Sequence, residues 1–107
     1  MSLGIMCAIP QEASRLAGAL AREHEHVHGG RTYYTGTLPG AETGKSERVV
    51  LVYSRVGKVA AAATAQHLID VHRVKAILFT GVAGALAPDL RVGDIVVAKN
   101  LWQHDMD

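Results

Sequence analysis

Apolar residues fill positions 3–9 with one glycine among them, and Pro10 closes the run. A proline ends a strand and suits the first turn of a helix, so the pattern predicts a short strand followed by a helix. Ala13, Leu16, Ala17 and Leu20 then recur at i, i+3, i+4 and i+7, which predicts an amphipathic helix over residues 11–22. Residues 23–30 are polar and end in Gly29-Gly30, the pattern of a loop. The Tyr and Thr content of residues 31–37 predicts a strand. Pro39, Gly40 and Gly44 mark residues 38–47 as a turn or loop, and residues 49–53 form a second strand, antiparallel to the first across it.

Gly57 opens an Ala-rich helix over residues 58–72, whose small side chains allow close packing on a sheet. Residues 74–80 are almost continuously apolar, as in a strand covered on both faces. A further apolar strand is predicted over residues 94–98. The order β, α, β, β, α, β, β predicts an α/β fold with a mixed, largely parallel sheet and flanking helices. No helical pattern follows the last strand, so the pattern reads as one partial domain over residues 1–107.

Composition narrows the functional classes. The 107 residues are 49% hydrophobic and 20% charged, as in a globular domain. Eleven basic against ten acidic residues leave a net charge of +1, without the basic excess expected of a nucleic-acid or membrane-surface binder. No apolar run approaches the roughly 18 residues of a membrane span. Cys7 is the single cysteine and has no internal partner, which fits a reducing compartment. The absence of a signal-peptide pattern points the same way, to the cytoplasm.

Several segments carry candidate chemistry. Gly81-Val82-Ala83-Gly84 directly follows an apolar strand, and ligands of open α/β sheets bind at the carboxyl ends of strands. Glycine there lets backbone N–H groups approach a ligand, but it also suits a tight turn. Glu12 falls in the first turn after the first strand. Alone it reads as a favourable partner of the helix dipole. Beside the Gly81 turn in a parallel sheet, it becomes a candidate general acid or base. Gly57-Lys58 begins a helix, where free N–H groups can meet an anion, although a solvated lysine is the plainer reading.

Gly44-Lys45-Ser46 lacks the upstream glycine of a phosphate loop and reads as an exposed loop. His24, His26 and His28 alternate in a polar segment and could bind a metal, but no fourth ligand lies close in sequence, and a solvated loop is the plainer reading. His104, Asp105 and Asp107 likewise have ligand chemistry without making a site on their own.

Taken together, the residues resemble a family. Gly4-Ile5-Met6-Cys7-Ala8-Ile9-Pro10-Gln11-Glu12 looks like the opening strand and catalytic turn of the methylthioadenosine/S-adenosylhomocysteine nucleosidases. Val56-Gly57-Lys58-Val59-Ala60-Ala61 resembles that family's second helix start, and Thr80-Gly81-Val82-Ala83-Gly84 with residues 90–97 resembles its central signature. His104-Asp105-Met106-Asp107 matches the stretch that follows. The resemblance runs along nearly the whole chain but reaches only the N-terminal half of the family.

It implies a partial nucleoside phosphorylase-like fold and hydrolysis of an adenine N-ribosidic bond through an oxocarbenium-like ribosyl state. Glu12 matches the water-activating glutamate. Ala8, Ile9, Val56, Val82, Ala83 and Gly84 match positions that line the nucleoside pocket. Many relatives carry serine where this chain has Val82. The resemblance implies no metal or organic cofactor and a homodimer. Pro10-Gln11 offers no phosphate-binding arginine, which favours water as nucleophile.

The family's later Met-Glu segment and its purine-protonating aspartate fall outside these 107 residues. The expectation is therefore impaired or absent catalysis by this chain alone, together with exposed apolar surface. Two alternatives stand beside the nucleosidase. One is a non-catalytic remnant or weak nucleoside-binding fragment. The other is a related enzyme, such as futalosine hydrolase or a nucleoside phosphorylase.

Overall fold

A computed structural model describes residues 2–39 and 46–105. The glycine-lysine pair of the rejected phosphate loop, Gly44-Lys45, lies outside the described residues, as do Met106 and Asp107. Strand β1 (Ser2–Cys7) runs into a 3-10 turn (Pro10–Ala13) and the short helix α1 (Ser14–Ala19). Strands β2 (Ala21–His28), β3 (Arg31–Pro39) and β4 (Ser46–Tyr53) follow, then helix α2 (Lys58–Asp70) and strand β5 (Ala76–Phe79).

The strands form one sheet in the order β2-β3-β4-β1-β5. The pairs β2–β3 and β3–β4 are antiparallel, whereas β1 pairs in parallel with both β4 and β5. The sheet is mixed, as the alternation of strands and helices predicts. It is antiparallel on the meander side and parallel on the side that carries the crossover helix.

Side-chain alternation along β1 divides the core between the two faces. Ile5 and Cys7 pack with Ala13, Leu20, Val49 and Leu51, on the face covered by the 3-10 turn and α1. Met6 joins Tyr33, Val50, Val52 and Leu68, on the face covered by α2. Ala61 and Ala65 of α2 pack against this second cluster, so the small residues read from the sequence do bring the helix close to the sheet.

The local structure departs from expectation in four places. Residues 23–30 are not a loop: β2 covers most of them and pairs along its length with β3. Its residues are polar because it is an edge strand whose every position is exposed, and charged edges resist further strand pairing. Gly29 and Gly30, at φ 60° and 75°, make the two-residue turn joining His28 to Arg31, a geometry that requires positive φ.

The expected helix over residues 11–22 is shorter and broken. Ala13 adopts φ −139° between the 3-10 turn and α1, and Leu20 is already extended. Residues 94–98 form no strand among the described residues, and Ile95, Val96 and Val97 are exposed. Nor is β5 covered on both faces, since Leu78 and Phe79 are about half exposed. Exposed apolar side chains continue through Val82, Leu86, Val92, Leu101 and Trp102, the surface expected when the resemblance reaches only the N-terminal half of the family.

Candidate active site

The parallel pairing of β4, β1 and β5 brings three carboxyl ends to one edge of the sheet. Backbone hydrogen bonds extend the register past the strand ends. Ser54 N–H donates to Cys7 O at 2.8 Å, and Arg55 N–H to Ala8 O at 3.0 Å. On the other side Thr80 N–H donates to Met6 O at 3.0 Å. Residues 8–9, 54–56 and 80–82 thus meet above the sheet.

Pro10 turns the chain back there, and the 3-10 turn places Glu12 over the end of β1. Glu12 Oε1 accepts the N–H groups of Ala8 at 2.9 Å and Ile9 at 3.1 Å. Its Oε2 accepts the N–H of Val82 at 3.1 Å. An ionised carboxylate offers about four acceptor positions. Three backbone donors fix it in place and leave capacity for one further donor, such as a water. Gly81 makes the approach possible: a Cβ there would stand 3.1 Å from Glu12 Oε2 and 3.3 Å from Phe79 Cε1.

Ala8 and Ile9, whose N–H groups Glu12 holds, also border an open cavity of about 350 Å³, although Glu12 itself is not among the lining residues. Ala8, Ile9 and Val56 line it together with Tyr53, Arg31 and Arg55. The structure therefore brings three of the expected pocket residues to one cavity and joins Val82 to Glu12 by a hydrogen bond. Ala83 and Gly84 continue from Val82 as exposed residues without regular structure.

Cys7 is fully buried beneath the site, and burial, with the charge of Glu12 adding to it, pushes its thiol above the ordinary range. That disfavours the thiolate, so Cys7 is a packing residue and not a nucleophile.

The two arginines were not singled out in the sequence. Arg31 Nε donates to Ser54 O at 2.9 Å, and Arg55 donates through a terminal nitrogen to Gly30 O at 2.8 Å. Arg55 holds a left-handed backbone, φ 71°, a conformation that costs a non-glycine residue energy and often marks a functional site. Nothing in a lone arginine before Val56-Gly57 announces that conformation. Gly57 itself has φ 111°, a positive angle that glycine adopts without the cost a side chain would bring.

Lys58, at the start of α2, is accounted for by Asp105, whose two carboxylate oxygens both lie 2.9 Å from Nζ. His104 and Asp105 line a second open hollow with Lys58, Leu101 and Trp102. No helix among the described residues is long and apolar enough to cross a membrane.

Comparison with known proteins gives the family and the fold. The family profile described as the Phosphorylase superfamily matches residues 2–107. A 5'-methylthioadenosine/S-adenosylhomocysteine nucleosidase of Chromohalobacter salexigens is 35% identical over 105 residues, covering 98% of this chain and 42% of the relative. An aminodeoxyfutalosine nucleosidase of Campylobacter jejuni is 36% identical over 107 residues, covering all of this chain and 44% of the relative. The crystal structure of the Streptococcus pneumoniae MTA/SAH nucleosidase in complex with 8-aminoadenine superposes with a TM-score of 0.78 at 39% identity. That match covers 88% of this chain and 39% of the other. The chain thus spans about two fifths of the length of the relatives it matches.

Proposed function

On the premise that the chain belongs to the phosphorylase superfamily, we propose that it carries the water-activating side of an adenine nucleosidase site. The substrates are methylthioadenosine and S-adenosylhomocysteine, and the reaction is hydrolysis of the N-ribosidic bond. One observation carries the reading: the Glu12 carboxylate is held by three backbone N–H groups, two of them from Ala8 and Ile9, which line a cavity together with Val56.

In the reaction the C–N bond to adenine breaks as positive charge develops on the ribosyl carbon. Glu12 accepts a proton from water as the water oxygen bonds to that carbon, and the departing purine takes up a proton. Val56 and Ile9 give the sugar an apolar wall, and the turn at Val82, Ala83 and Gly84 presents backbone groups toward the base. The chain's own residues supply the water side of this chemistry, with no cofactor. The site works in a cytoplasmic homodimer in which further residues act on the purine.

Water is favoured over phosphate by Pro10-Gln11, which place no arginine at the end of β1. Arg31 and Arg55 line the cavity and give only part of their N–H donors to backbone carbonyls, so they leave the choice of nucleophile to the phosphate test. The aminodeoxyfutalosine nucleosidase relative makes that nucleoside the second substrate class to test.

The test measures adenine release from methylthioadenosine, with and without phosphate, in two formats. One uses this chain alone, and the other grafts its residues onto the matching segment of a full-length relative. Release by the graft that ignores phosphate and disappears in Glu12→Gln supports the reading. Release that survives Glu12→Gln overturns the role of Glu12, and release that requires phosphate makes the site a phosphorylase. An active graft beside an inactive chain identifies the chain as a partial site.

A further inference from the structure

The three alternating histidines of the sequence lie on an edge strand, and α2 supplies two more. Along β2 the side chains of His26 and His28 point to one face, because their partners on β3 are Tyr33 and Arg31, and Tyr33 packs in the cluster beneath α2. The C-terminal end of α2 brings His67 over this face, and His72 follows just beyond the helix. The His67 ring stacks on His28 with centroids 4.1 Å apart and on His26 at 5.6 Å. His72 stands edge-on to His67 at 5.3 Å and to His26 at 5.7 Å.

One ligand nitrogen from each of His26, His28 and His67 lies within 4.8 Å of the others. Three imidazoles around a tetrahedral zinc, at Zn–N of roughly 2.0–2.1 Å, hold their nitrogens about 3.3 Å apart. His26 and His28 are exposed on an edge strand. The three rings lie within 5–12° of parallel, so their in-plane lone pairs do not converge in the present stack, and ligation requires the exposed His26 and His28 rings to swing out of it. The Nε2 atoms of His67 and His72 are buried and lack hydrogen-bond partners. A buried polar nitrogen without a partner carries a cost that a ligand bond removes. Packing alone leaves both nitrogens unsatisfied.

We propose that His26, His28 and His67 form a binding site for a borderline divalent transition-metal ion of the zinc class, with the fourth position taken by water and His72 alongside. Neutral imidazole suits zinc, nickel and copper, whereas magnesium and calcium require oxygen ligands that this cluster lacks. The site lies on the α2 face at the β2 edge. Glu12 belongs to the elements covering the opposite face, so the ion takes no part in the nucleosidase chemistry. It ties the edge hairpin to the helix.

The experiment is calorimetric titration of the chain with zinc chloride, repeated with magnesium chloride. Parallel cobalt(II) titrations read the visible d–d bands of nitrogen ligation. One zinc per chain with micromolar or tighter affinity is expected, and no response to magnesium. His28→Ala and His67→Ala should each weaken zinc binding at least tenfold. His24→Ala, on the same strand outside the cluster, should leave it unchanged. Because His28 is exposed, its variant tests the site without disturbing the core, and far-ultraviolet circular dichroism verifies that each variant is folded. Absence of zinc binding overturns the proposal. So does binding that persists unchanged in His28→Ala, or that His24→Ala weakens equally.

Discussion

Glu12 and Val82 are joined by a 3.1 Å hydrogen bond from a backbone N–H to a carboxylate oxygen, across 70 positions of the chain. The bond links the turn after β1 to the turn after β5 at the carboxyl edge of the sheet. Its carboxylate also holds Ala8 and Ile9, so one side chain fixes both sides of the proposed water site.

Replacing Gly81 with alanine tests that linkage. The added methyl would press on Glu12 Oε2 and on the ring of Phe79. The carboxylate must give by a few tenths of an ångström, a fraction of the displacement of about 1 Å that can cost a hundredfold in rate. Gly81→Ala in the active graft is therefore expected to lower kcat for adenine release by about three- to tenfold. The melting temperature should fall by only a few degrees, on the order of 1 kcal/mol. Steady-state kinetics and thermal melts measure the two effects separately.

Glu12→Gln should cost stability as well as activity. An amide has one oxygen and two N–H donors, so it cannot accept at both ends. Either the Val82 N–H or those of Ala8 and Ile9 would face another donor. Losing such a partner costs about 1–3 kcal/mol when buried, and the partial exposure of these groups places the effect near the low end. Urea denaturation of the variant and the parent chain gives the difference.

Cys7 should be chemically silent in the folded chain. It has no exposed surface, and burial followed by the Glu12 charge raises its thiol. Ellman's reagent at pH 8 is expected to react with it only at the rate of unfolding, and at once in denaturant. Rapid labelling of the native chain would contradict the packing of β1.

Acid should loosen the α2 face. Burial, then neighbouring histidine charge, lowers His67 and His72 below their ordinary values, while Asp70 opposes this at His67. The unfolded chain therefore binds more protons than the folded one, and stability falls as pH drops from about 6.5 toward the lower folded values. His26, His28 and the Tyr33 ring are the other groups facing this pair. Melting temperatures should be flat above pH 7 and decline toward pH 5. His72→Gln should flatten the decline, because a glutamine does not take up the proton.

The features that sequence made legible were those set by local periodicity or by glycine. The apolar β1, the small face of α2 and the Gly81 turn can each be read from adjacent residues. The proximity of Glu12 to that turn follows once β1 and the 74–80 segment are placed in one parallel sheet. β2 was hidden because an edge strand with both faces exposed has no apolar alternation to betray it. Residues 94–98 carry a strand's composition but find no partner strand among the described residues. Arg31 and Arg55 reach the cavity through long-range contacts to Ser54 and Gly30, which no local pattern encodes.

The position of β1 also sets an order of assembly. Leu3 lies between Val49 on one neighbouring strand and Ala76 on the other. β1 precedes both of its partners in the chain and must wait for them, while the β2–β3–β4 meander can close through short-range pairings. These separations predict that the meander pairs before β1 inserts, since closing long loops costs entropy before any contact repays it. Glu12 cannot reach Val82 until that insertion is complete, so the site forms only after the sheet has closed.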